Sequence, residues 1–260
     1  MFRRACGFIC AFALPGAIHA DIVTGTSGSV EVTPLIHSSV QLEYQGMVIH
    51  IDPWNRLGLP GAKPADLLLI TDDVGHHLDV SAIAKLRKSG APLVMAANGT
   101  DQIDEGIVLD NGEAIRVAGV TVEAIAAYDI IPGEPSHPKG QANGYVVTFG
   151  GLRFYFAGVT ECVDEVKALR DIDVAFLPMN VPLGRMTPAA VAECARLINP
   201  RILYPYHYDQ DYARRALQPD YVGPGLPEGL SVEQTLQRLE AELEGSDIEL
   251  RLAEFYPPLD

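Results

Sequence analysis

The sequence predicts an α/β protein made of two similar αβ halves facing each other, and three observations carry that prediction. In each half, short alternating apolar runs of antiparallel type come first and strand-helix units follow. The continuous apolar run Leu67–Ile70 ends in two aspartates and two adjacent histidines, and open α/β proteins place their chemistry at the carboxyl ends of such strands. The 260 residues are 48% hydrophobic and 20% charged, enough apolar material for a substantial core and unlike a disordered chain.

Residues 1–20 carry Arg3 and Arg4, an apolar centre over 5–14 and small residues near Ala20, the plan of a secretory signal peptide. Cleavage is expected after Ala20, leaving 21–260 as a single domain that is periplasmic or secreted. The apolar run is well short of the ~20 residues a bilayer span needs, so the mature chain is expected to have no membrane span. Cleavage removes two basic residues and no acid from a chain of charge -15, so the mature protein would carry -17. That charge argues against nucleic acid and anionic membranes as partners. Cys6 and Cys10 leave with the signal. Cys162 and Cys194 could pair in an oxidising compartment, but two thiols far apart in sequence make no disulfide scaffold; one buried and one half-buried thiol are expected.

Residues 25–29 read as a Gly/Ser linker. Apolar alternation at Val30 and Val32, at Val40, Leu42 and Tyr44, and at Val48, Ile49 and Ile51 predicts an antiparallel meander, with Gln45-Gly46 as its second turn. It ends at Asp52-Pro53-Trp54, and a Pro/Gly-rich loop over 57–64 leads to the buried strand. Helical spacing at Val80, Ile83, Ala84 and Leu86 predicts a helix over 79–88, with Gly90 as its C-terminal glycine and strand again at 92–96. Residues 107–126 read as another antiparallel run, broken at Asn111-Gly112 and Gly119. After a polar loop over 128–141, strands at 144–149 and 152–157 meet at Gly150-Gly151. A helix over 164–169 and a buried strand at 174–177 follow. Thr187-Pro188 opens a helix to Leu197, and a strand at 201–204 leads into Pro205-Tyr206-His207-Tyr208. Residues 219–229 are a surface loop. Ser231 with Gln234 reads as a capping box for a helix striped by Val232, Leu236, Leu239 and Leu243, and a last strand alternates Ile248, Leu250 and Leu252.

Of seven histidines, His19 leaves with the signal and His50 lies in a strand. His76, His77, His137 and His207 fall in loops at strand ends. Neutral imidazole is the commonest ligand for zinc and related ions, so this distribution suits a metal site, although an adjacent His-His pair in a polar loop is more often solvated. No GxSxG elbow, phosphate-cradling GxxxxGK[ST] or convincing GxGxxG supports a nucleophilic-serine or nucleotide reading.

Five stretches, HSSVQLEYQGMVIHIDPW (37–54), ADLLLITDDVGHHLD (65–79), HPKGQANGYVVTFGGLRFYFAGVTE (137–161), DIDVAFLPMN (171–180) and YPYHY (204–208), together resemble the metallo-β-lactamase superfamily. The branch they resemble includes the L-ascorbate-6-phosphate lactonases and related metal-dependent hydrolases. The resemblance implies a four-layer αβ/βα sandwich with a one- or two-metal site on one edge. The family's signature loop, usually HxHxDH, falls on Asp72, Asp73, Val74, Gly75, His76 and His77. Asp72 replaces the first histidine, Val74 replaces the second with a side chain that cannot bind metal, and His76 stands where the family has aspartate. His137 matches a ligand of the first metal, Val159 replaces the bridging aspartate, and His207 matches the last ligand of the second metal.

The losses fall mainly on the first position, which keeps only Asp72 and His137. The resemblance therefore implies a single ion at the second position, held by His76, His77 and His207. Zinc is the expected ion, with manganese or iron not excluded. Water made acidic there would attack a small lactone, ester or phosphoester, with Asp72 or Asp73 handling protons and His137 orienting the substrate. Asn180, Tyr206 and Tyr208 are expected to line the cleft, Lys139 to meet an anionic small-molecule substrate, and Trp54 to pack near the mouth. Asp52 could stand behind the site's ligands but is first of all a turn residue, and His37 matches a position the family usually keeps near the site, with a satisfied core histidine as its expected role. The alternative is a catalytically inactive binding or interaction module without metal, with His76 and His77 as loop residues and Asp72 and Asp73 capping the next helix. The sequence carries no signal of oligomeric state.

Overall fold

The computed structural model describes residues 20–131, 135–179, 184–223, 225, 229–257 and 259. Residues 1–19 of the expected signal, and Asn180, lie outside the described residues. The first half is a seven-stranded sheet in chain order: β1 (Asp21–Gly25), β2 (Gly28–Ile36), β3 (Ser39–Tyr44), β4 (Met47–Ile51), β5 (Leu67–Ile70), β6 (Leu93–Met95) and β7 (Ile107–Val108). Strands β1 to β4 pair antiparallel and β4 to β7 parallel. The second half repeats the plan with β8 (Ala114–Val117), β9 (Val120–Ala127), β10 (Ala142–Phe149) and β11 (Leu152–Phe156) antiparallel, then β12 (Val174–Pro178), β13 (Ile202–Tyr206) and β14 (Glu249–Leu250) parallel.

The helices are α1 (Val80–Leu86), α2 (Asp164–Lys167), α3 (Pro188–Ile198), α4 (Tyr212–Leu217) and α5 (Val232–Glu242). Successive residues of a strand point to opposite faces. Leu67 and Leu69 of β5 accordingly join the core shared with Tyr145, Phe154 and Phe156 of the other sheet, while Leu68 and Ile70 pack with Leu78 and Ile83 on the α1 side. All four are buried, each worth about 1.5–3 kcal/mol. Helices α3 and α5 pack together on the second half, α3 against β12. Helix, sheet, sheet and helix stack as the expected αβ/βα sandwich.

Several local readings need correction. The segment over 25–29 is the turn of the β1–β2 hairpin, not a linker; Val23 is buried and Ile22 exposed, the alternation of an edge strand. Strand β7 pairs parallel with β6 in the first sheet, so the chain changes sheets at Asn111-Gly112 rather than making one antiparallel run. Helix α1 ends at Leu86 because Arg87 is extended and bridges Ala65, leaving Gly90 in the following turn. Helix α4 was not anticipated, being one short turn and a half without an apolar repeat. Cys162 and Cys194 form a disulfide that ties the segment after β11 to α3. The capping box at Ser231 and Gln234 and the Thr187 cap are as expected.

Candidate metal centre

Both halves deliver side chains to one edge of the sandwich. His37 comes from the β2–β3 turn, Asp52 follows β4, residues 71–77 follow β5, His137 precedes β10 and His207 follows β13. His37, Asp52 and His207 all have positive φ, at 59°, 44° and 56°. Non-glycine residues held there store strain, which collects at functional sites. Gly158 adds a close approach: its φ is +66° and a Cβ would lie 2.9 Å from Thr71 Cβ, so only glycine lets this loop meet the end of β5.

Four imidazoles converge. The ring centroids of His37 and His207 are 3.8 Å apart, those of His76 and His77 4.6 Å, and those of His77 and His207 5.2 Å. One ligand atom each from His37, His76 and His207 lies within 4.8 Å of the others. The structure thus gathers His76 and His207 as expected, and brings in His37, the position the family keeps near the site, for which a core role was expected. His77 completes the group through its Nε2, 3.2 Å from His207 Nε2. Trp54 edges the cluster, its ring 5.6 Å from His37 and 6.1 Å from His76.

Three of the four rings are oriented by a neighbour. His77 donates from Nδ1 to Asp52 Oδ2 at 2.6 Å, with Thr71 Oγ1 and Ser38 Oγ alongside. Asp52 is held in turn by Thr71 N and Oγ1, so it is a built partner rather than a turn residue. A carboxylate at Nδ1 fixes the proton there and frees Nε2, the arrangement that commonly supports ligating histidines. His37 Nδ1 meets Tyr256 OH at 2.8 Å. Gln210 Nε2 donates to His207 Nδ1 at 2.7 Å and to the His207 carbonyl. His207 therefore carries its proton on Nε2 and donates it to His77; an ion bound through that nitrogen needs the proton on Nδ1 instead, where the Gln210 amide, turned to present Oε1, can accept it as no guanidinium could.

Electrostatics favour neutral rings. Burial, then the charges of neighbouring histidines, holds His37 and His207 well below the ordinary imidazole range, and burial with His77 and His137 nearby pushes His76 down to about 3. Burial also lowers His77, but the charge and hydrogen bond of Asp52 outweigh it and raise the ring overall. Buried neutral imidazoles are the chemistry of a zinc-type donor set. The 3.2 Å between His77 and His207 is close to the roughly 3.3 Å edge of a tetrahedron with about 2.0–2.1 Å zinc-nitrogen bonds. The residues present fit one ion.

The first family position has become something else. Asp72 Oδ1 accepts from Asn98 Nδ2 and Asp73 N, while its Oδ2 is buried, 3.2 Å from His137 Nε2 and without a hydrogen bond. On the other side of the His137 ring stand Asp129 and Arg185, a buried ion pair at 2.8 Å. Burial and the Asp72 carboxyl raise the Asp73 carboxyl above its usual range. Val74 lies half-buried in the loop and Val159 is buried. Neither aspartate caps α1: that cap is Asp79, which accepts from Ser81 N and Ala82 N.

The other expected residues sit elsewhere. Tyr206 is fully buried and its hydroxyl is locked to the Gly158 backbone, because β13 is an interior strand. Tyr208 packs on Tyr256. Lys139 is exposed, paired with Glu165 and lying over the Tyr128 ring. Arg185 and Gln210 were missed: one lone base in an acidic chain and one amide three residues past a histidine give no pattern to read.

A family model described as the beta-lactamase superfamily domain matches residues 31–207, from β2 to His207. A UPF0173 metal-dependent hydrolase of Thermococcus onnurineus is 31% identical over 198 residues, covering 69% of this chain and 85% of that protein. One from Thermus thermophilus is 28% identical over 221 residues, covering 77% and 97%. A crystal structure described as a metal-dependent hydrolase from Parabacteroides distasonis superposes with a TM-score of 0.77 at 34% identity, covering 92% of this chain and 99% of that one. A metallo hydrolase from Ignicoccus hospitalis, at 22% identity and a TM-score of 0.61, shares the fold. With the matched segment spanning both halves and every loop of the site, the chain belongs to the metallo-β-lactamase superfamily.

Proposed function

We propose that the protein is a hydrolase that works with a single metal ion on a small lactone, ester or phosphoester, in the periplasm or outside the cell. The observation that carries this reading is the convergence of four imidazoles from both halves, three of them kept neutral by burial. His76 and His207, with His37 or His77 as the third ligand, would hold the ion. When bound, such an ion supplies Lewis acidity toward water and the substrate's reacting oxygen.

The chain's own residues do the rest. Asp52 holds His77 in the ligating tautomer. Asp73, half-buried beside Asp72, keeps a proton to higher pH than an ordinary carboxyl and can exchange it with substrate as general acid or base. Asp72 fixes the loop through Asn98 and the Asp73 amide. The Trp54 ring stands edge to face against His76 and would shield that side of the site from water. The expected signal over 1–20 and the Cys162–Cys194 disulfide both fit an oxidising compartment. Among the described residues no helix is long and apolar enough to cross a membrane.

The test is hydrolysis of a panel of lactones, aryl esters and phosphodiesters by the mature protein with added zinc, manganese or iron. Turnover that is lost with chelator and in His207→Ala is expected. No turnover with any of these metals would remove the hydrolase reading and leave an inactive binding module.

A further inference from the structure

His77 and His137 are both histidines with a charged group behind Nδ1, but the charges have opposite sign. Behind His77 stands the Asp52 carboxylate, which accepts the Nδ1 proton. Behind His137 stands Arg185, whose Nη1 donates to Nδ1 at 3.1 Å. A guanidinium has five N–H donors and no acceptor. A neutral ring that accepts at Nδ1 must carry its own proton on Nε2, the nitrogen facing Asp72 at 3.2 Å. That nitrogen then has no lone pair for a metal.

We propose that Arg185 locks His137 as an Nε2–H hydrogen-bond donor and so takes out of the metal-ligand set the one histidine that the superfamily resemblance assigns to the first ion. The first position does not fit a metal. It fits a donor aimed beside the cleft, next to the unpaired Asp72 Oδ2, where it can receive an oxygen of the substrate.

The surroundings are built for this lock. Asp129 accepts the His137 backbone N–H on its own Oδ2 and donates its backbone N–H to the His137 carbonyl, so the two residues are clamped together. The Arg185 guanidinium is 11% exposed and the Asp129 carboxyl 2%. Burying that cation is costly without a partner, and Asp129 meets it at 2.8 Å. A second Arg185 nitrogen, Nη2, donates to Ser136 Oγ at 3.2 Å, fixing the plane of the fork. Asp129 Oδ2 also lies 3.4 Å from His137 Nδ1, without an aligned hydrogen bond. It is an acceptor waiting on the same nitrogen, and Arg185 outcompetes it. Removing the guanidinium should let Asp129 take an Nδ1 proton and turn His137 into a second His77.

This inference rests on the single-ion reading for its meaning, but its test needs no ion, so the two fail separately. The tautomer is read directly from long-range 1H–15N correlation spectra of the histidine rings in chelator-treated mature protein at pH 7.5, with His137 assigned by the signal lost in His137→Gln. The expected result is an Nε2-protonated ring in the wild type, an Nδ1-protonated ring in Arg185→Met, and the wild-type form in Arg185→Lys. A wild-type ring that is Nδ1-protonated or doubly protonated overturns the proposal, as does an Arg185→Met ring that does not switch. The wild-type spectrum decides the first half by itself if the methionine variant fails to fold. Loss of metal binding in a separate titration would touch only the single-ion reading.

Discussion

The imidazole cluster and the charged cluster lie side by side on one edge of the same sandwich, and they solve the burial of polar groups in opposite ways. Around His37, His76 and His207, burial strips the rings of charge, while the buried Asp52 carboxylate aims the His77 ring and raises it. Around His137, charge is kept and cancelled within the protein by Arg185 against Asp129. The first arrangement brings uncharged ring nitrogens from both halves to one point, which is what a cation can use. The second already contains its cation. On the single-ion proposal, one half of a two-ion site persists while the other is rebuilt as an internal ion pair.

The strongest way to break this comparison is His207→Ala. It should abolish metal binding, measured as bound metal per chain after desalting, because it removes the ring that faces both His37 and His77. Retention of metal would move the ion toward His137. Next, Asp129→Asn leaves the buried Arg185 unpaired and should cost about 3–5 kcal/mol in urea unfolding, with metal content unchanged. A variant that lost metal instead would show that the two clusters are one.

Asp52→Asn should weaken metal binding about 10–100-fold in competition with a chelator, since the His77 tautomer loses its anchor. Gln210→Glu should act the other way by about tenfold: a carboxylate accepts from His207 Nδ1 and frees Nε2.

A separate effect is on acid stability. His50 is pushed down to about 4 and His76 to about 3, so below pH 6.5 the unfolded chain takes up protons that the folded chain refuses. Stability of chelator-treated protein should therefore fall as pH falls from 6.5 toward 4, by about 1.4 kcal/mol per pH unit for each such ring. His50, bonded through Nε2 to the Lys63 carbonyl and in ring contact with none of the four clustered histidines, allows a control: His50→Gln should flatten part of the slope and leave metal binding alone.

Much of the fold was legible because it is written locally. Alternation gave β2 to β4, the run Leu67–Ile70 gave the central strand, and Thr187, Ser231 and Gln234 marked helix starts by their own hydrogen bonds. The loop after β5 was legible through family resemblance, including the ligand position that Val74 now occupies. What escaped was set by tertiary approach. His37 stands far from His207 in sequence and reaches it only because two strand ends meet; the backbone bond from His207 N to His37 O makes that join. Asp52 looks like a turn dipeptide until Thr71 and His77 close on it. Arg185 acts through a ring that no periodicity links to it, and β1 was hidden by the Gly and Ser that flank its hairpin.

The central claim is one ion held by imidazole alone. It is tested most directly by loading the mature protein with zinc, measuring bound metal per chain and recording the X-ray absorption fine structure at the zinc edge. The account predicts one ion per chain with three or four imidazole nitrogens and no carboxylate ligand. Two ions per chain, or a carboxylate in the coordination shell, would contradict it.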